Sequence, residues 1–217
     1  MTHLRRLPVA VLIVLINYVA DVFGAQPTIP DVLHPPEVEE VKSFDHLFPV
    51  DRSVPEFRYV AQYWAEPQYA PQRYAVVILD ESSQRCYIQV GEAPAAQRTL
   101  DRPYVFKDRA EISTSTANVI YRLWMHVLLR TRYDRRGSAV IVTNATKYTY
   151  STFMPGLGWM HGSTWTAPEP NPPLNLINDA AEMLLAFVAN PKRDETLLRK
   201  GLEKDLREVS AYLQKHD

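Results

Sequence analysis

The stretch that decides the fold is RYAVVILDESSQRCYIQVGE, residues 73–92. Two runs rich in β-branched and aromatic residues, 74–79 and 85–90, flank the polar segment 80–84. Runs of this composition form strands, and a short polar segment between two of them is typical of a hairpin turn. We therefore predict a β-hairpin at this position.

A second group of strand-like runs follows at residues 139–143, 147–153 and 159–166. Asn, Pro and Gly residues between these runs favour turns. We predict a three-stranded antiparallel meander. Residues 57–64 suit either a further strand or a short helix, and the spacing of their apolar residues does not decide between the two.

Three segments have the apolar spacing of amphipathic helices: residues 114–132, 174–189 and 194–215. In each of them apolar residues recur three and four positions apart, which places them on one helix face. The Ser and Thr residues at 113–116 are candidates for the N-cap of the first helix. The order of hairpin, helix, meander and two helices predicts an α+β fold, in which about three helices pack on an antiparallel sheet.

The first 25 residues have the organisation of a signal peptide. Arg5 and Arg6 precede an apolar run at 7–20, and small residues follow at Gly24 and Ala25. This run is shorter than the roughly 20 residues that a membrane span needs. We expect a periplasmic or secreted protein that is cleaved after Gly24 or Ala25. If the segment stays uncleaved, it is the one expected contact with a membrane.

The remainder divides into two parts. Residues 26–55 contain six prolines, which favour extended or irregular backbone, and we interpret them as a linker or as a strap over the domain. Residues 56–217 show no internal boundary or repeat, which predicts a single α+β domain. This length is sufficient for a substantial hydrophobic core.

Charge and cysteine content exclude some classes of function. The net charge of the whole chain is −1, so there is no basic footprint for nucleic acid. Cys86 is the only cysteine, so no disulfide can form within the chain. An exported protein without disulfides fits a bacterial periplasm better than a eukaryotic extracellular space.

Motifs for catalysis or cofactor binding are absent from the sequence. It contains no H-E-x-x-H, G-x-S-x-G, C-x-x-C or P-loop pattern, and we predict no metal and no cofactor. His161 is the best candidate for a general base. Strand alternation places Ser163 on the same face, but a working base also needs an orienting carboxylate.

The aromatic residues of the meander are the main candidates for binding. Tyr148 and Tyr150 share one face of their strand, while Trp159, His161 and Trp165 share one face of the next. If the two faces coincide and are open to solvent, they form an aromatic platform for stacking on glycans or for protein contact. If they meet the helices instead, these residues belong to the core.

In its overall plan the chain resembles small exported bacterial α+β proteins, including periplasmic immunity proteins that neutralise toxins of rival cells. The resemblance implies a protein partner and no catalysis. Our leading hypothesis is thus a non-enzymatic binding or inhibitor protein, such as an immunity protein. A cell-wall or carbohydrate-binding protein that uses the aromatic residues is the first alternative, and a hydrolase centred on His161 is the second.

Overall fold

Six strands and three helices make up the part of the chain that the computed structural model describes, residues 57–67, 70–93, 105–131, 145–165, 172–190 and 192–216. The strands are β1 (Phe57–Pro67), β2 (Gln72–Asp80), β3 (Arg85–Ala93), β4 (Val105–Ile112), β5 (Thr146–Met154) and β6 (Gly158–Trp165). The helices are α1 (Thr114–Leu128), α2 (Pro172–Ala189) and α3 (Glu195–His216). The predicted signal peptide, the proline-rich segment 26–55 and the predicted strand 139–143 lie outside the described residues.

The strands form one antiparallel sheet in the order β4-β3-β2-β1-β5-β6. The predicted α+β class is confirmed, and the hairpin at residues 73–92 is β2 and β3. The undecided segment 57–64 is a strand, and β1 connects the two halves of the sheet because it pairs with both β2 and β5. β4 was not predicted. It lies at one end of the strand order, opposite β6.

The turn between β2 and β3 is stabilised by one carboxylate. Asp80 Oδ1 accepts hydrogen bonds from the backbone N–H groups of Ser82 and Ser83, at 3.0 and 3.2 Å. Together with the two serine hydroxyls, these bonds lower the pKa of Asp80 to about 2. Gln84 then adopts the left-handed conformation, with φ of 56°, and the chain enters β3.

The N-terminus of α1 is capped, and a buried tryptophan bonds this helix to the sheet. Ser113 is the N-cap and accepts a hydrogen bond from Thr116 N–H at 3.3 Å, as the sequence predicted for this region. Trp124 is completely buried, and its indole N–H donates to the backbone carbonyl of Gln62 at 2.9 Å. The helix ends at Leu128 rather than at the predicted residue 132, and Leu129 after it is exposed.

α1 and α2 pack on the sheet, and α3 packs on both of these helices. Their apolar stripes fill the space between the layers, as predicted from the residue spacing. The buried members include Ile120, Leu123, Val127, Leu174, Ile177, Leu184, Leu198, Leu202 and Val209. None of the three described helices is long and apolar enough to cross a membrane.

Buried side chains also occur on the sheet face that points away from these helices. Val76 and Ile78 of β2 are buried there, as is Tyr74. The ring of Tyr74 fills the space where a Cβ atom on Gly91 of β3 would lie. Glycine at position 91 is therefore required by the close approach of this ring, because any larger residue would overlap it.

Candidate functional site

The register of the β5–β6 hairpin decides where the predicted aromatic residues lie. Directly paired residues of two antiparallel strands point to the same face. Trp159 is paired with Phe153, whereas Tyr150 is paired with Gly162 and Tyr148 with Thr164. The tyrosines therefore occupy one face and the tryptophans the other. The four residues do not form a single platform, because the two predicted faces do not coincide.

Tyr148 and Tyr150 lie on the face that the helices cover. Tyr150 is completely buried, and Tyr148 packs against the same core. The ring centroid of Tyr63 on β1 is 5.6 Å from that of Tyr150 and 6.2 Å from that of Tyr148. The ring of Trp124 meets Tyr150 edge-on at 6.0 Å. We refer to Tyr63, Tyr148 and Tyr150 as the tyrosine cluster.

Side chains of α2 accept the hydroxyl protons of two cluster members. Tyr150 donates to Asn178 Oδ1, and Tyr63 donates to Glu182 Oε1 at 3.1 Å. Burial raises the pKa of both phenols, and the negative charge of Glu182 raises them further. Both phenols therefore stay protonated and act as hydrogen-bond donors that hold α2 against the sheet.

Glu182 is the electrostatic centre of this contact. The guanidinium of Arg73 on β2 donates two hydrogen bonds to its carboxylate, at 2.8 and 3.1 Å. Such bidentate pairs are stronger and more directional than single contacts. Sequence reasoning missed this pair. The one available signal was that Asn178 and Glu182, four positions apart, share a helix face.

A cleft of about 510 Å³ lies beside this ion pair, between α2 and strands β2, β3 and β4. Val90, Leu185 and Ala186 are among the apolar residues that line it. The charged side chains of the lining are engaged with one another or with Arg193, in the pairs Arg73–Glu182, Lys107–Glu92 and Arg193–Asp108. Every charged side chain that the structure describes in the lining is thus already paired.

Trp159, His161 and Trp165 lie on the other face of the hairpin, along β6 at one end of the strand order. We call these three residues the β6 strip. Trp159 is 40% exposed and Trp165 is 49% exposed. Leu157, in the turn just before the strand, is 65% exposed. Three large apolar side chains of this hairpin are therefore exposed to solvent, at positions 157, 159 and 165.

The rings of the β6 strip are held by neighbouring side chains. The indole of Trp159 stacks on the imidazole of His161, with centroids 6.1 Å apart and an interplanar angle of 18°. Phe153 contacts Trp159 edge-on at 5.8 Å. The ammonium group of Lys147 lies 5.9 Å from the ring centroid of Trp165. These contacts restrict the orientations of the two exposed indoles.

A hydrolase centred on His161 would need a serine nucleophile beside the imidazole, and Ser151 and Ser163 lie on the same face of the hairpin. A serine nucleophile must give its proton to the base. Ser151 is paired with His161 across the hairpin, but its hydroxyl donates to Gln62 Oε1 at 2.5 Å. Ser163, the partner suggested by the sequence, lies on the same face and is paired with Thr149.

Two further observations concern a thiol and possible metal-binding groups. Cys86 is buried, and this burial raises the pKa of its thiol, so the thiolate that reactivity requires is disfavoured. Among the residues that the structure describes, no three His, Cys, Asp or Glu side chains are grouped so that they could hold a metal ion.

No protein-family model matches the chain, and comparisons with curated proteins and with solved structures give no significant match. Function must therefore be inferred from the residues themselves.

Proposed function

We propose that this chain is an exported binding protein that acts by occupying the surface of a partner protein, as immunity proteins do when they neutralise a toxin. The observation that supports this most is the β6 strip, with two half-exposed tryptophans on one face of a strand at the end of the sheet. Tryptophan is among the residues most enriched at the energetic centres of protein interfaces.

The arrangement of the strip favours a contact surface over incidental exposure. Isolated exposed apolar residues are common on soluble proteins. Phe106, Leu129 and Leu197 are of this kind, since they lie singly on β4, after α1 and on α3. Leu157, Trp159 and Trp165 differ because one hairpin carries all three. The rigid rings of the two tryptophans lose little conformational freedom when a partner covers them.

Binding should therefore depend on the two tryptophans. The test is to capture partners from a periplasmic extract on the immobilised protein, and to compare the double variant Trp159→Ala/Trp165→Ala with wild type. A matched control, Phe106→Ala/Leu197→Ala, removes two exposed apolar side chains elsewhere. We expect wild type and control to retain the same protein and the tryptophan variant to lose at least 90% of it, which corresponds to more than about 1.4 kcal/mol.

Protection of cells tests the immunity role. Co-expression with a toxin encoded beside this gene should restore growth for wild type and for the control variant, but not for the tryptophan variant. Equal retention and equal protection by all three proteins would overturn the β6 strip as the contact surface. If no partner is retained and no protection occurs with wild type, the proposal itself fails.

Export is a separate part of the proposal and rests on the character of residues 1–25. The mass of the protein recovered from a periplasmic fraction tests it. We expect a loss of residues 1–24 or 1–25. A full-length mass in the membrane fraction would indicate an uncleaved anchor, and recovery only from the cytoplasm would contradict export.

One observation favours a second candidate, a protein that binds cell-wall glycans. Two exposed indoles on the same face are suited to stacking on sugar rings. Trp159 and Trp165 are six positions apart, about 20 Å along a strand, so they would contact separate sugars of one chain. Sedimentation with purified peptidoglycan tests this candidate. Binding that is unchanged in Trp159→Ala would count against it.

A further inference from the structure

Asp205 on α3 is a charged residue at a position where the helix otherwise buries apolar side chains. It is only 6% exposed, and its neighbours Leu202, Leu206 and Val209 are buried as well. Its Oδ2 atom is fully buried and has no hydrogen-bond partner within the described parts of the chain. An ionised carboxylate in such a place is costly unless it is paired.

The packing of α2 on α3 brings a second carboxylate to this place. A Cβ atom on Gly201 would lie 2.8 Å from Met183 Sδ, so the two helices approach closely at this level. Asp205 is one turn after Gly201, and Asp179 is one turn before Met183. Because the chain reverses direction between the helices, Asp179 lies at the level of Asp205. Asp179 is exposed to solvent, yet close enough for its charge to act on Asp205.

The other charges near Asp205 do not neutralise it. Asp179 approaches from α2, while Lys204 and Glu208 belong to α3 itself. Lys204 forms an ion pair with Glu208 at 3.7 Å, so the positive charge of Lys204 is partly compensated by Glu208. Among the described residues, no charged group of α1, the other helix that packs on α3, contributes to the pKa shift of Asp205; Arg122 of α1 lies beside Leu206 and Arg207 in a neighbouring cleft. Burial, followed by repulsion from Asp179, raises the pKa of Asp205 to about 6.

Glu195, at the first turn of the same helix, illustrates the opposite arrangement. Its carboxylate accepts the hydroxyl protons of Ser113 and Thr116 and, at 2.9 Å, the backbone N–H of Ser113. Although partial burial works in the other direction, these bonds lower the pKa of Glu195. Glu195 thus has three hydrogen-bond donors, whereas Asp205 Oδ2 has none within the described parts of the chain.

We propose that Asp205 and Asp179 form a proton-binding site that makes the α2–α3 seam respond to mild acid. A proton from solvent neutralises Asp205 and removes its repulsion with Asp179, and the seam tightens. Loss of that proton leaves a buried negative charge opposite a second one, and the seam loosens. The site is independent of the β6 strip and requires no partner or metal.

The direction of the pH effect follows from linkage. In the folded protein the pKa of Asp205 lies above the ordinary value for an aspartate, so the folded state binds the proton more tightly than the unfolded state. Stability therefore increases as the pH falls from above 6 toward 4. Between about pH 7.5 and about pH 5.5, this group alone should raise the folding equilibrium constant about fourfold.

The test compares the urea unfolding of the full chain at these two pH values with that of Asp205→Asn. We expect the folding equilibrium constant of wild type to rise about fourfold from about pH 7.5 to about pH 5.5. That of Asp205→Asn should not show this rise. We also expect Asp205→Asn to be the more stable protein at about pH 7.5. Glu203→Gln is the matched control, since it removes a half-exposed carboxylate from the same helix, and it should retain the wild-type gain.

If Asp205→Asn does not fold, a direct NMR titration of Asp205 provides a second test. In wild type, the NMR signal of the Asp205 carboxyl carbon should titrate with a midpoint near pH 6. In Asp179→Asn the midpoint should move toward that of an ordinary aspartate. A wild-type midpoint near pH 4, or a pH dependence of unfolding that Asp205→Asn leaves unchanged, would overturn the proposal.

Discussion

The two faces of the β5–β6 hairpin carry the same class of residue in opposite roles. On one face Tyr150 is 0% exposed and is bonded to α2 through its hydroxyl. On the other, Trp159 is 40% exposed, and no described helix covers it. Aromatic content alone therefore does not indicate a binding surface. What matters is the face of the sheet on which each ring lies.

A shift of one residue in the β5–β6 register would turn this arrangement into a single aromatic platform, the alternative that the sequence left open. The last pair of the ladder is Met154 with Gly158, so three residues form the turn. A turn longer by one residue would pair Tyr148 with Trp165 and bring all the aromatic residues to one face. Gly156 and Gly158 both have φ of 85°, which glycine readily adopts, and this allows the shorter turn.

Replacing Tyr150 by alanine should produce the largest difference between the two faces. The change removes a completely buried ring and leaves a cavity among the helices, so we expect the free energy of unfolding to fall by about 3–5 kcal/mol. Trp159→Ala removes a larger ring but should lower the free energy of unfolding by only about 1 kcal/mol, because that ring is 40% exposed and leaves no enclosed cavity. Urea unfolding measures both values. Equal losses would show that the two faces do not differ in burial.

Much of the fold could be predicted from the sequence because its elements have regular spacing. The β2–β3 hairpin and the three helices show strong periodicity of two or of three to four residues. β4 escaped prediction because its sequence, VFKDRAEI, carries charged residues at four of its exposed positions, 107, 108, 109 and 111, which hides the apolar pattern of a strand. Charged side chains are typical of a strand at the end of a sheet, where they discourage pairing with other chains.

The candidate site was predictable only in part. Alternation correctly grouped Trp159 with Trp165 and Tyr148 with Tyr150. It could not relate one strand to the next, since that depends on the turn. Asp205 escaped for a different reason. A single acidic residue within an apolar stripe can be turned outward by a small rotation of the helix, so only the packing of α2 and α3 reveals that it is buried.

A smaller change isolates the polar part of the tyrosine cluster. Tyr150→Phe keeps the ring but removes the hydroxyl that donates to Asn178, and we expect a loss of about 1 kcal/mol, the typical contribution of one hydrogen bond. Tyr148→Phe is the matched control, because Tyr148 packs beside the same ring of Tyr63 and its hydroxyl forms no hydrogen bond with the residues that the structure describes. If both variants lower the free energy of unfolding by the same amount, the hydrogen bond to Asn178 does not contribute to stability.

The smallest expected effect lies on the exposed face. Lys147→Met keeps an unbranched apolar side chain but removes the ammonium group near Trp165, and at an exposed site this cation–π contact contributes about 0.5–1 kcal/mol. A double-mutant cycle with Trp165→Ala isolates the coupling from the other contacts of Lys147. A coupling in that range would mean that Lys147 holds the indole in place before binding, so Lys147→Met should also weaken partner retention. A coupling of zero would mean that Lys147 does not hold the indole of Trp165 in place.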